Sequence, residues 1–316
     1  MPDFDTVDGS VTHRELWREL GCPQRPKEIW QKPFEFDPAH YERLCQRCAT
    51  DARFPANHDP VDLESYLEDL TYVEETQPDL LLFLLPLCLR AWSWNLLSGT
   101  ESFSYYAEEF WRPWSKGSPM HGSLFELLSE KQRNAFERYV SDAIIAAIDR
   151  APALKSGAGT EPDCGRWLSE LGSFSTVCPG LSQLWHTWWN LETEGRAIGA
   201  LQYLSCLMYE DTTNPIFPPW KTPHRYGGPP YLWANSMAVN DQPWDPENVS
   251  FLKDVLVPTQ LLSAIDRCLE RLTNAEDRKI AAQMKIDFAY QMTLLELRIE
   301  QLPIILSSAC HGKWII

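Results

Sequence analysis

Two cysteines three positions apart, Cys45 and Cys48, with His40 before them and His58 after, supply the residue types of a tetrahedral zinc site. A structural zinc module normally carries a second tight ligand pair, and the sequence offers none. The same spacing sets both cysteines on one face of a helix that also uses Tyr41 and Leu44, which is the simpler reading. No metal and no other cofactor is expected. Cys310 and His311 are sequence neighbours, which says nothing about nucleophile–base geometry. HExxH, GxSxG, the kinase set and the dinucleotide-binding fingerprint are missing, so an enzyme is disfavoured but not removed.

A second constellation is acidic. Residues 59–79 hold Asp59, Asp62, Glu64, Glu68, Asp69, Glu74, Glu75 and Asp79 without one Lys or Arg. Such a run reads either as a solvated helix face or as a field that steers a basic partner onto the surface. In the second reading Glu68, Asp69, Glu74 and Glu75 are the partner-binding carboxylates. Further along, Trp185, Trp188 and Trp189 precede Glu192, Glu194 and Arg196 at helical spacing. These read as core rings with a surface Glu192–Arg196 pair at i,i+4, or as a buried pair with an orienting role.

The stretch 214–246 is unlike the rest of the chain. It carries eight prolines, three tryptophans, two tyrosines and Phe217 between two helices. Long loops of this kind are uncommon in compact domains, and the aromatics argue for an ordered arm. Its chemistry concentrates at Trp220, His224, Arg225, Tyr226, Tyr231 and Trp233, around the Gly227-Gly228 turn. The arm reads as a staple of buried rings across the helices or as a recognition surface, since Trp, Tyr and Arg most often carry binding energy. A third reading makes it the wall or lid of a small-ligand pocket, with His224, Arg225 and Tyr226 as its polar groups. No phosphate-loop pattern is present.

The formal net charge of −16 disfavours nucleic acid and anionic membrane as partners, because phosphate binding needs clustered Lys and Arg. A basic protein partner fits better. Nine scattered cysteines make no disulfide framework, and the acidic, polar N-terminus lacks the charged and apolar regions of a signal peptide, so a reducing cytoplasm is expected. The apolar run Leu80–Leu89 falls short of the ~20 residues that span a bilayer and reads as a core helix interrupted by Pro86.

The elements that must hold these groups are helices. Pro38, Pro78, Pro179, Pro246 and Pro258 stand where helices open, since a first-turn proline forfeits no hydrogen bond. Ser129 and Gln132 fit a capping box. Ile280, Met284, Phe288, Met292, Leu295, Ile299 and Leu302 form one apolar stripe, core or a partner helix's groove. Hairpin patterns are nearly absent, so the fold expected is all-α, an irregular bundle of nine to eleven helices. Small, flexible residues at 151–163 suggest a linker or surface loop between helical subdomains 1–150 and 164–316.

The span Leu84–Trp92, then Tyr105-Tyr106 and Phe110, then Leu127–Gln132 ahead of an amphipathic helix, resembles uncharacterised all-helical bacterial proteins sometimes associated with toxin–immunity loci. The resemblance covers residues 60–150 and carries over no catalytic or binding residue. It implies a cytoplasmic bacterial protein that acts through protein contacts. Charge, acidic run and missing catalytic motifs together lead to a protein–protein interaction module, in one form an acidic immunity-type inhibitor of a basic partner.

Overall fold

A computed structural model describes residues 13–34, 39–50, 61–98, 110–115, 123–155, 164–210, 213–216 and 243–307. Among them are eleven α-helices and no strand. They are α1 (His13–Glu19), α2 (His40–Thr50), α3 (Val61–Leu70), α4 (Pro78–Ser98), α5 (Glu130–Asp149), α6 (Cys164–Val177), α7 (Leu181–Trp189), α8 (Glu194–Met208), α9 (Pro246–Val255), α10 (Pro258–Arg271) and α11 (Ala275–Ser307). The chain is therefore an all-α, multi-helix protein, as the proline openings and helical periodicity predict. Pro78, Pro246 and Pro258 are each the first residue of their helix, and Pro179 lies two residues before α7. At the start of α5 only part of the capping box forms. The Gln132 side chain accepts the Ser129 N–H at 2.9 Å and also the Ser129 hydroxyl, while its own amide donates to the Leu20 carbonyl.

The described residues fall into two compact units, one up to Ala143 and the other from Ile144 onward. Composition points to 151–163 as the junction, whereas the division falls inside α5. Of that stretch residues 151–155 are described, and they belong to the second unit. There Leu154 is fully buried and its N–H donates to Asp277 Oδ1 at 3.2 Å.

The first unit is built on α4, whose residues Leu80, Leu84, Leu85, Leu89 and Trp92 are all buried. By length and composition this helix could cross a bilayer, because the apolar run continues past Arg90 through Ala91, Trp92 and Leu96, and 72% of its apolar window is buried inside the protein. Around Trp92 sits an aromatic core. Phe110 stacks on it at 5.4 Å, Trp111 meets it edge-on at 6.0 Å, and Phe136 of α5 lies against Phe110, Trp111 and Trp114. Such edge and offset contacts favour rings beyond their area burial.

The second unit is centred on α8. Every residue of this helix except Glu194 and Arg196 is buried, as expected of a helix apolar all round. It packs against α7, α10 and α11. The long stripe of α11 faces this core: Ile280, Met284, Phe288, Leu295 and Leu302 are buried. Arg298 interrupts the stripe and is buried too, donating from Nη1 to the carbonyls of Cys206, Leu207 and Tyr209. Those oxygens belong to the last turn of α8 and to its C-cap residue Tyr209, where backbone acceptors have no partner within the helix.

Candidate functional site

Among the described residues of the acidic run there are two kinds of carboxylate. In α3 the buried positions are Leu63, Tyr66, Leu67, Asp69 and Leu70, so Asp69 stands on the inward face. It is 2% exposed; Oδ1 accepts the Phe34 N–H at 2.8 Å and Oδ2 accepts the Tyr41 hydroxyl. Burial first, and then the bond to Asp69, raise the Tyr41 phenol far above its ordinary range, so it remains a donor at every physiological pH. The Asp69 carboxylate is thus committed to the interior of the first unit and offers nothing to a partner. Glu68 is half-buried, and Glu74 and Glu75, in the turn between α3 and α4, are exposed.

What Asp69 holds in place is a surface. The segment Glu28–Phe34 has no helical period and lies against the α3–α4 corner through side chain to backbone bonds. Gln77 Oε1 accepts the N–H groups of Trp30 and Gln31, Gln77 Nε2 donates to the Glu28 carbonyl, and Gln31 Oε1 accepts the Gln77 N–H at 2.8 Å. Gln31 Nε2 also donates to the Tyr41 hydroxyl. This reciprocal Gln31–Gln77 pairing fixes the backbone while the two large rings beside it stay outside. Trp30 is 44% exposed and Phe34 57%, with Phe34 stacked on Tyr72 at 5.4 Å. Glu74 and Glu75 lie in the chain between Tyr72 and Gln77, so two exposed rings and two exposed carboxylates are carried on one anchored corner.

Sequence reasoning missed Trp30 and Phe34. Pro23, Pro26 and Pro33 around them mark a non-helical segment, which is the signal that could have drawn attention to the rings. Asp69 was legible as an inward residue, since it stands three positions after Tyr66 and one before Leu70 on the apolar face.

Of the four candidate zinc ligands, His58 and the Cys48 side chain lie outside the described residues. Cys45 is buried, and burial pushes its thiol up to about 11, which keeps it neutral at pH 7. Among the described residues no three His, Cys, Asp or Glu side chains cluster as metal ligands.

In the arm, Trp220, His224, Arg225, Tyr226, Tyr231 and Trp233 lie outside the described residues. Its two ends are described, and both are tied into the second unit. Asn214 Nδ2 donates to the Ser205 carbonyl and Ile216 is buried. At the other end the N–H groups of Trp244 and Asp245 donate to the carbonyls of Leu306 and Ser175, and the Asp245 side chain caps α9.

The Trp–Arg patch of the second unit is a set of core rings with a surface Glu192–Arg196 pair, to which the structure adds a second carboxylate. Trp185 and Trp188 are buried against Tyr203, and Trp185 stacks on Trp189 at 4.6 Å. Arg196 keeps the surface ion pair with Glu192, whose carboxylate lies 3.6 Å away and is 70% exposed. Its main partner is Asp149, 47 residues upstream, gripped by Nε and Nη2 at 3.0 Å each. The surface i,i+4 pair expected from the sequence therefore forms beside the Asp149 contact, although Glu192 precedes α8 in an irregular link where Leu191 has φ of 55°. The clamp joins the end of α5 to the start of α8 and is structural.

Comparison of the chain with family models, with curated proteins and with solved structures finds no match. The all-α fold and this anchored corner are therefore what the functional reading rests on.

Proposed function

We propose that this protein is a protein–protein interaction module that takes a basic partner, in the manner of an acidic inhibitor masking a cationic surface. The observation that carries the reading is the corner of the first unit, where Trp30 and Phe34 stand exposed beside Glu74 and Glu75 on a hydrogen-bonded support. Exposed rings held rigidly lose little entropy on binding and accept the faces of Lys and Arg side chains, while the carboxylates pair with their charges. The net charge of −16 adds long-range attraction for a basic molecule. Glu68 contributes to that field from its half-buried position.

A cytoplasmic setting belongs to this reading. The buried cysteines Cys45, Cys88, Cys178, Cys206 and Cys268 are free thiols, as suits a reducing compartment.

The test is affinity capture on the intact protein from native lysate at low salt. A basic partner is expected to be retained and to elute as ionic strength rises past about 150 mM, where exposed charges are screened beyond roughly 8 Å. Glu74→Lys with Glu75→Lys should slow association at least tenfold, as reversal of steering charges does. Trp30→Ala with Phe34→Ala should weaken binding by about 2 kcal/mol. All four side chains are exposed, so the melting temperature should stay put. Retention that ignores salt and both double variants overturns the proposal, as does the absence of any retained basic protein.

A further inference from the structure

The helix α11 carries a second apolar stripe that its own unit does not use. Opposite the buried row, Ile286, Tyr290, Leu297 and Ile304 are 60%, 83%, 39% and 59% exposed. With Thr293 between them, these positions step by four and three, the 3.5-residue seam of a coiled coil. The seam extends outward in the same steps to Lys279 near the start of the helix and Glu300 near its end, both exposed. A 33-residue helix is roughly 50 Å long at 1.5 Å per residue, enough to present this seam as a straight edge.

We infer that the seam is a homodimer interface, in which α11 of one copy packs antiparallel against α11 of a second. The charges choose both the occupant and the direction. Arg278 and Lys279 lie in the first turns of the helix, and Glu296 and Glu300 lie some five turns later. A second copy running antiparallel brings Lys279 of each chain within one helical turn of Glu300 of the other, in reach of its long side chain. A parallel copy would stack like on like, which disfavours pairing. In the antiparallel register that opposes Ile286 to Leu297, Tyr290 comes opposite Thr293, a large side chain against a small one, and the two-fold axis repeats both layers. The same register sets Gln283 against Glu300, an amide donor facing a carboxylate. The seam is self-complementary, so it needs no second kind of chain. Lys285 takes no part, since it is paired with Asp266 of α10 at 2.5 Å.

Sedimentation velocity on the full chain, up to about 100 µM, tests this by mass action. The expected result is a concentration-dependent monomer–dimer equilibrium. Leu297→Glu or Tyr290→Glu should raise the dissociation constant at least tenfold, and at protein concentrations well below that constant the melting temperature should stay put, because both residues are exposed in the single chain. Lys279→Glu should weaken the dimer, and adding Glu300→Lys should restore it, a rescue that a parallel pairing would not give. For orientation, Gln283→Cys and Glu300→Cys chains mixed under oxidation should cross-link to each other and not to themselves. A protein that stays monomeric throughout overturns the inference, whatever other part of the chain covers the seam. So does a dimer indifferent to Leu297→Glu and Tyr290→Glu, or one that cross-links Gln283→Cys to itself.

Discussion

Gly195→Ala is expected to lower the stability of the second unit by about 3 kcal/mol, the upper end of what overpacking a close contact costs. A Cβ on Gly195 would stand 2.6 Å from the Asp149 carbonyl carbon and 2.7 Å from its Cα, and a backbone cannot rotate aside as a side chain does. The close approach exists because the start of α8 and the end of α5 are clamped together. Arg196 forks onto the Asp149 carboxylate, and the Thr193 hydroxyl donates to the same carboxylate while accepting the Arg196 N–H that caps α8. Moving the helices apart by the width of a methyl group would stretch all of these bonds. Gly199→Ala is the internal comparison. Its new Cβ would meet the Cγ2 methyl of Ile148 at 2.9 Å and Trp188 Nε1 at 3.4 Å, contacts that side-chain adjustment relieves in part. Urea titration followed by tryptophan fluorescence should therefore rank Gly195→Ala well below Gly199→Ala. Equal midpoints, or the reverse order, would show that the α5–α8 contact is not the constraint described.

Trp188→Ala is expected to cost about 4 kcal/mol, as for other large buried rings cut back to a methyl. The indole is fully buried and meets the rings of Trp167, Trp185 and Tyr203 edge-on at 5.0, 5.5 and 5.3 Å. Its Nε1–H also donates to the Arg196 carbonyl at 3.2 Å, tying α7 to the first turn of α8. Trp188→Phe separates the two contributions. Most of the ring packing survives and only the hydrogen bond and part of the volume are lost, so a loss of about 1–2 kcal/mol is expected. Calorimetry of both variants checks the pair, and a Phe variant as damaged as the Ala variant would place the energy in the hydrogen bond rather than in packing.

Much of the fold follows from local rules. Prolines that open helices, the apolar run of α4 and the stripe of α11 each report a single helix and the face it buries, because periodicity and first-turn chemistry act within a few residues. The second stripe of α11 was equally present in the sequence, and it went unremarked because the buried row alone satisfied the helical pattern. The candidate site was legible in part. Glu74 and Glu75 belong to the acidic run and are exposed, while Trp30 and Phe34 sit in a proline-marked segment that no period describes.

The amino-acid sequence by itself determined the all-α class, the positions where helices begin and which face of each is apolar. Only the tertiary structure decided which groups meet. It turned Asp69 inward to hold Tyr41 and the Phe34 backbone, and it gave Arg196 the carboxylate of Asp149 in addition to its near neighbour Glu192. It also left Trp30 and Phe34 outside, on a support built from Gln31 and Gln77, which are 46 residues apart. The physical reason is the same in each case. Helix formation is settled by contacts a few residues apart, whereas a buried charge or an anchored surface depends on partners brought from far along the chain by the packing of whole helices.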